Sequence, residues 1–302
     1  MPPVLTRLQR ELFGGGSETA IDILVFKTLE TFIVYRAIDY CWRWGLFIQD
    51  IGEVVLPLGV ASYIDVGFMF ENGVSIVNAA IATIFITAGF LRLHRYAYLI
   101  SMALFHFQFA ARFCLGEIPH SSNFVGMGIL ALGLGAVLFD DPSARRRFVT
   151  GTLVFFIGLA YLTGAMSKLI ATGPIWPDGR HLWIWIAEKA ADKYAEFGVL
   201  ELNPVQQLVV NSWLLATVSL AFGLIVEIAA PAFWFERARP FAAAGILALH
   251  AGIYLTMRIV FSASMVIVAI VGFPWGRWMR TTCPDLEAYL TRRAGAIVKR
   301  FG

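Results

Sequence analysis

Between residues 22 and 276 the chain is a succession of long apolar stretches separated by short segments rich in arginine. A hydrocarbon core about 30 Å thick is crossed by roughly 20 helical residues. Apolar stretches suited to such crossings lie at 74–91, 96–113, 123–139, 148–170 and 206–234. The block 241–276 is too long for one crossing and is divided by Arg258, so it predicts two short spans, 241–257 and 259–276. An eighth stretch, within 22–48, carries Lys27, Glu30, Arg36, Asp39 and Arg43; it either spans or lies in the interface. Composition points the same way. Hydrophobic residues make up 58% of the 302 residues, charged residues 15%, and mean hydropathy is +0.70. A soluble domain of this size cannot bury that much apolar surface, which excludes an ordinary globule, and a disordered chain is excluded too. The expected fold is all-α: a polytopic membrane helical bundle of about eight transmembrane helices.

The net charge of +3 is too small to imply nucleic acid, but the positions of the charges carry information. Arg92 and Arg95, Arg145 to Arg147, Arg237 and Arg239, and the basic tail fall on one side if the chain crosses eight times. With Arg7 and Arg10 they are most of the 24 lysines and arginines. Cytoplasmic loops collect such residues, so both termini are expected in the cytoplasm of a multi-pass protein of the cell's inner membrane. The domains read as a flexible lead over 1–20, a transmembrane domain over 21–276 and a basic cytoplasmic tail over 277–302. The lead has no apolar segment before Ile21 and does not resemble a cleaved signal peptide. Cys41, Cys114 and Cys283 form no CxxC, and no HExxH, GxSxG or Walker loop is present, so no metal is expected.

The longest outer connection is about 171–205. Within it, Trp183, Ile186, Ala190, Tyr194 and Phe197 recur at helical spacing, while Glu188, Asp192 and Glu196 take another face. This predicts an amphipathic helix over 181–198 lying on the outer membrane surface, either as a plain interfacial helix or as a lid.

Ionisable groups inside apolar spans are costly and mark sites. Lys168 ends a run, 154–170, that is otherwise uncharged. An amine withdrawn from water sheds its proton more readily and becomes a competent general base. The alternative is snorkelling, with the ammonium lifted into the headgroups. Tyr161 lies on nearly the same face. His250, Tyr254 and Arg258 stand at i, i+4 and i+8 as one stripe, either structural or part of a site. Glu227 is expected to be structural, pairing with Arg237 or Arg239 or capping backbone near Pro231. Asn123 opens a span just after His120; it is a helix cap or a member of a Lys168 cavity. Gln108 and His106 suit interhelical hydrogen bonds. Lys27 with Glu30, and Arg36 with Asp39 and Arg43, have the spacing of ion pairs along one helix face.

The block Tyr161-Leu162-Thr163-Gly164-Ala165-Met166-Ser167-Lys168-Leu169, followed by Trp176-Pro177-Asp178-Gly179, resembles a motif of the HTTM membrane family. That family includes vitamin K-dependent gamma-glutamyl carboxylase and its bacterial relatives. Arg36 in a charged first helix, Asn123 opening a span that closes at Asp140-Asp141, and Glu227 to Pro231 follow in the same order. So do Arg239, His250, Phe261 and Phe273. The resemblance implies a reduced quinone of the vitamin K or menaquinone type, deprotonated by Lys168 and epoxidised by oxygen, with carboxylation of a substrate from the outer side. It implies His250 as a second catalytic group. It also implies a quinone- or substrate-binding set of Asn123, His120, Tyr161, Trp176, Gly179, Tyr254 and Arg258. Glu227, Arg36 and Asp39 are the structural polar residues. Three positions depart from the carboxylase pattern. Ser167 stands where a second lysine is found, and Phe124 follows Asn123 where a histidine is found. The large extramembrane domain by which carboxylases grip a peptide does not follow the last span in this sequence, so a peptide substrate from the outer side would need a partner protein to supply it; a small-molecule substrate is the alternative.

The resulting expectation is a quinol-linked membrane enzyme, embedded in lipid and served by a lipid quinone. Two alternatives stand beside it: a non-enzymatic scaffold or subunit, and a small-solute transporter.

Overall fold

The computed structural model describes residues 3–15, 18–50, 56–116, 121–290 and 292, with the side chains of residues 3 and 4 outside that description. Among these residues there is no strand. The helices are α1 (Pro3–Phe13), α2 (Ala20–Asp50), α3 (Val74–Phe90), α4 (Ala97–Phe113), α5 (Ser122–Leu138), α6 (Pro142–Thr172), α7 (Gly179–Phe197), α8 (Pro204–Val210), α9 (Trp213–Ala229), α10 (Arg239–Met257), α11 (Ser262–Gly272) and α12 (Trp275–Thr282). Each of the eight apolar stretches read from the sequence therefore holds a helix. Three are long and apolar enough to cross a membrane: α6 with its following turn, α9 with the turn after it, and α10. The apolar helices α3, α5 and α11 are shorter.

Three elements differ from expectation. Much of the 1–20 lead is helix: Leu12 of α1 is buried and Phe13 stacks on Phe148 at 6.2 Å. Of the Gly14-to-Ser17 stretch, residues 16 and 17 lie outside the described residues. The stretch 206–234 is divided into α8 and α9 because local capping outweighs its continuous hydropathy. Asn203 and Gln206 close a capping box at the start of α8, and Ser212 caps α9 by accepting from the amide of Leu215. The amphipathic segment exists as α7, but its buried face is Leu182, Ile186 and Ala190, packed against Val209, Ala216 and Leu220. Tyr194 and Phe197, expected on the apolar face, are exposed.

The chain divides into two compact units, residues 1–153 with 274–302, and residues 154–273; the boundary falls within α6. In the first unit α2 packs on α3, α4 and α5. Buried glycines and alanine on α5 (Gly126, Gly128, Ala131, Gly133) let neighbouring helices lie close, as membrane helices favour. The expected ion pairs along α2 form. Lys27 reaches Glu30 at 3.0 Å, and Asp39 takes Arg36 and Arg43 at 2.7 Å each.

Gln108 ties three helices together. Its Nε2 donates to Cys41 O at 2.9 Å and Ser75 O at 3.2 Å, and its Oε1 accepts from Asn78 Nδ2 at 2.8 Å. His106, the other expected polar contact on α4, is exposed and stacks on Phe109 instead. The Gln108 network demands a glycine opposite. A Cβ at Gly45 would stand 2.7 Å from Gln108 Nε2 and 3.0 Å from the Ser75 carbonyl. Gly45→Ala therefore displaces backbone or breaks the network, and overpacking of this kind costs about 1–3 kcal/mol. Thermal unfolding in detergent is expected to show a lower midpoint for G45A. Gly252→Ala, whose Cβ meets nothing within 4 Å, is the comparison and should leave the midpoint unchanged or slightly raised.

Candidate functional site

In the second unit α6, α9 and α10 each carry a polar group among apolar residues, Lys168, Glu227 and His250. On α6, Tyr161, Gly164, Ala165 and Lys168 follow the i, i+3, i+4, i+7 period and share a side of the helix. On α9 the buried face runs Ala216, Leu220, Gly223, Leu224 and Glu227, so helical periodicity carries the carboxylate inward. On α10 it runs Ala243, Ile246 and His250.

Lys168 Nζ lies 2.5 Å from both Glu227 oxygens. This corrects two expectations. Glu227 pairs with Lys168 rather than with Arg237 or Arg239. Lys168 is not an isolated amine, because a carboxylate is its immediate neighbour. Charges in an apolar span cost about 2.5–3.5 kcal/mol each by insertion scales, so two of opposite sign are driven together. The lysine side chain is 30% exposed and the glutamate 11%, so the carboxylate is the more enclosed partner. The Trp176 ring centroid is 5.2 Å from Nζ, a cation–π contact.

Beside this pair, the Tyr161 hydroxyl is hydrogen-bonded to His250 Nε2. The His250 ring also meets Phe261 with centroids 4.6 Å apart. His250 is 4% exposed, and its Nδ1 is buried without a hydrogen-bond partner. An unmet polar atom of this kind costs about 1–3 kcal/mol, and a hydroxyl or carbonyl brought to it would recover that cost.

The motif Trp176-Pro177-Asp178-Gly179 builds the start of α7. The Trp176 carbonyl faces His181 Nδ1 at 2.7 Å, so that nitrogen carries the proton and donates. Asp178 caps α7, accepting from Arg180 N at 3.0 Å, and also accepts from Trp213 Nε1 at 2.9 Å. Gly179 is required by close approach: a Cβ there would stand 2.6 Å from the Trp213 carbonyl. Its own amide donates to Thr217 Oγ1 at 3.0 Å. The turn is thereby fixed to α9, the helix that carries Glu227.

The remaining expected site residues divide. The stripe His250, Tyr254, Arg258 is broken, because α10 ends at Met257 and Arg258 adopts the left-handed conformation, φ 60°. Tyr254 and Arg258 are exposed while His250 is buried. The final carbonyls of α10 find side-chain partners on α8: Asn203 Nδ2 donates to Leu255 O at 2.9 Å and Gln206 Nε2 to Thr256 O at 2.8 Å. Asn123 is exposed on α5 in the first unit, and His120 lies outside the described residues. Arg36 and Asp39 pair on α2, also in the first unit. Sequence reasoning missed the Lys168–Glu227 and Tyr161–His250 contacts, although one signal was present: two opposite charges in otherwise apolar spans each need a partner.

Comparison of the chain with family models, curated proteins and solved structures gives no match.

The Asp178 cap has a measurable consequence. The amide of Arg180, and after it the indole of Trp213, hold the Asp178 carboxyl below the usual aspartate range. The unfolded chain therefore takes up the proton first, at about pH 3.9, as acidity rises. Stability from the cap is complete above that value and is lost as pH falls from it through the lower folded value. Thermal midpoints followed by tryptophan emission from about pH 6 down to about pH 3 should fall for the native chain. Asp178→Asn keeps the cap geometry without the titration and should flatten that slope.

Proposed function

We propose that this is a multi-pass integral membrane enzyme acting on a lipid-borne quinol, with the Lys168–Glu227 pair as its proton-accepting centre. In this reading the eight apolar helices span the cell's inner membrane and both termini face the cytoplasm. The observation that carries the proposal is the paired amine and carboxylate between apolar helices, with the Trp176 ring on the ammonium and Tyr161, within electrostatic reach of Glu227, bonded to a histidine that has one unmet nitrogen. The motif resemblance to the HTTM family supplies the substrate class.

A reduced quinone supplies an acidic hydroxyl and, together with oxygen, the oxidising chemistry. The chain's own residues handle the proton. A hydroxyl proton arriving at the site passes to the Glu227 carboxylate. The Lys168 ammonium, released from that carboxylate, then faces the oxyanion left behind. The total charge of the site is unchanged by the transfer, which matters where no water can solvate a new charge. His250 Nδ1, held in place through the Tyr161 bond and the Phe261 ring, offers a hydrogen-bond position for the second oxygen of a para-quinol. Trp176 covers the ammonium and presents an aromatic face to a flat ring. The base is thus the pair rather than the lone amine expected from sequence.

The same ion pair also suits a purely structural fastener, and a scaffold or subunit is the second reading. The test separates them. Protein in lipid vesicles is supplied with a reduced menaquinone-type quinol, and oxygen uptake is followed. Lys168→Met and Glu227→Gln should each slow uptake by about a hundredfold or more, the range of general-base loss. Ser167→Ala, which removes a hydroxyl bonded to the Gly164 carbonyl, should leave the rate unchanged. The double variant Lys168→Met with Glu227→Leu replaces the pair by apolar groups and is expected to fold with native stability, since such exchanges are often neutral. A wild-type chain without quinol-dependent uptake, or a K168M rate equal to wild type, removes the enzyme reading and leaves the fastener.

A further inference from the structure

In the first unit a second polar cluster is unbalanced in charge. Glu30 on α2 is fully buried. It accepts from Lys27 Nζ at 3.0 Å, from Arg92 Nη2 at 2.8 Å and from the Tyr98 hydroxyl at 3.1 Å. Arg145, at the start of α6, lies within electrostatic reach of both Arg92 and Glu30. Its Nη2 donates to the Phe139 carbonyl at 3.2 Å. Two flanking charges do not restore the balance. Arg146 is taken by Glu18, and Asp140, which also acts on Arg145, is exposed and screened by solvent. Lys27 and Arg92 therefore share one buried carboxylate, and the charge of Arg145 at the start of α6 adds to theirs.

Arg92 shows two further features. It occupies the left-handed region with φ 59°, which costs a residue with a β-carbon energy and persists only where its surroundings hold it. Its Nη1 is buried and has no hydrogen-bond partner, although the side chain as a whole is 27% exposed. A guanidinium presenting a spare donor beside surplus positive charge matches a phosphate, which accepts from arginine in fork geometry. The position indicates the source of that phosphate. Arg92 sits in the turn directly after α3, an apolar helix, and its neighbours Leu91 and Leu93 are exposed hydrophobics. Such a turn lies where hydrocarbon gives way to headgroups, so exposed leucines on either side meet acyl chains while the arginine meets the polar layer.

We propose that Lys27, Arg92 and Arg145 form a binding site for the phosphate group of an anionic phospholipid, with Arg92 Nη1 as the donor reserved for it. The site is separate in sequence and chemistry from the Lys168–Glu227 pair and does not depend on any catalytic reading.

The full chain in neutral detergent is titrated with phosphatidylglycerol, with phosphatidylcholine and with inorganic phosphate at matched ionic strength. Thermal midpoint and retained lipid by native mass spectrometry are the readouts. Phosphatidylglycerol is expected to raise the midpoint and to be retained, and phosphatidylcholine is not. Arg145→Gln leaves the Glu30 bonds intact and should weaken phosphatidylglycerol binding by about tenfold, the loss of one charge-assisted contact. Lys27→Gln, which leaves the Arg92–Glu30 bond in place, repeats the test should R145Q not fold. Arg280→Gln on α12 should bind as the native chain does. The proposal is overturned if R145Q or K27Q binds undiminished, or if phosphatidylcholine stabilises equally. An equal shift with inorganic phosphate alone overturns the lipid assignment.

Discussion

A buried carboxylate, amide or ammonium has no water to meet it, so each polar side chain enclosed between these helices must be answered by another protein group. Gln108 meets two carbonyls and the amide of Asn78, and in doing so fixes how closely α2, α3 and α4 approach. Each such bond in a bilayer averages only about 0.6 kcal/mol. Their effect lies less in summed energy than in the alternatives they exclude, since any other packing leaves the same groups unmet. The small faces of α5 and the bare Cα of Gly45 are the steric counterpart of that choice.

Where the answering is incomplete, the exceptions are informative. Four buried side-chain atoms among the described residues lack a partner, Arg36 Nε, Ser121 Oγ, His250 Nδ1 and Arg92 Nη1, and the last two belong to clusters that are otherwise well bonded. The neighbours fix the position of the orphan in both cases. Tyr161 and Phe261 hold the imidazole, while Glu30 and a left-handed backbone hold the guanidinium. In the two proposed readings such a held and unmet group meets a ligand atom at little further ordering cost, because folding has already fixed it. The two clusters would suit different visitors. Around His250 the adjacent ion pair is neutral overall, so a neutral hydroxylated molecule fits. Around Arg92 the surplus is positive, so an anion fits.

The positions of the helices were legible in the sequence because they follow from one-dimensional facts. Apolar length sets where a helix lies, and arginines such as Arg92 and Arg258 mark where it stops. The division of 241–276 at Arg258 appears in the structure as the end of α10 and the start of α11 four residues later. Capping was legible in principle but outweighed in the reading by hydropathy, which is how the break between α8 and α9 escaped. The ion pairs along α2 were legible because partners three and four residues apart share a helix face. Partner choice across helices was not. Lys168 and Glu227 are 59 residues apart and Tyr161 and His250 are 89 apart, and no local pattern relates them. Each could be recognised as a polar residue in need of company, but which company depends on helix rotation and depth, quantities fixed by packing.

That gap changes the chemistry as well as the geometry. A solitary amine in an apolar span invites the reading of an unprotonated base, since desolvation is then the governing influence. A carboxylate at 2.5 Å makes the amine one half of an ion pair instead of a solitary base. A coupled pair has an advantage in a medium that cannot solvate charge. When an acid gives its proton to the carboxylate, the ammonium already in place serves the new anion, and no isolated ion is created at any stage. A lone lysine accepting the same proton would begin as an unpaired polar amine and end as half of an ion pair, with no third group to hold it in register. Glu227 thus supplies what the lysine by itself lacks: a fixed position for Nζ beneath Trp176 before any ligand arrives.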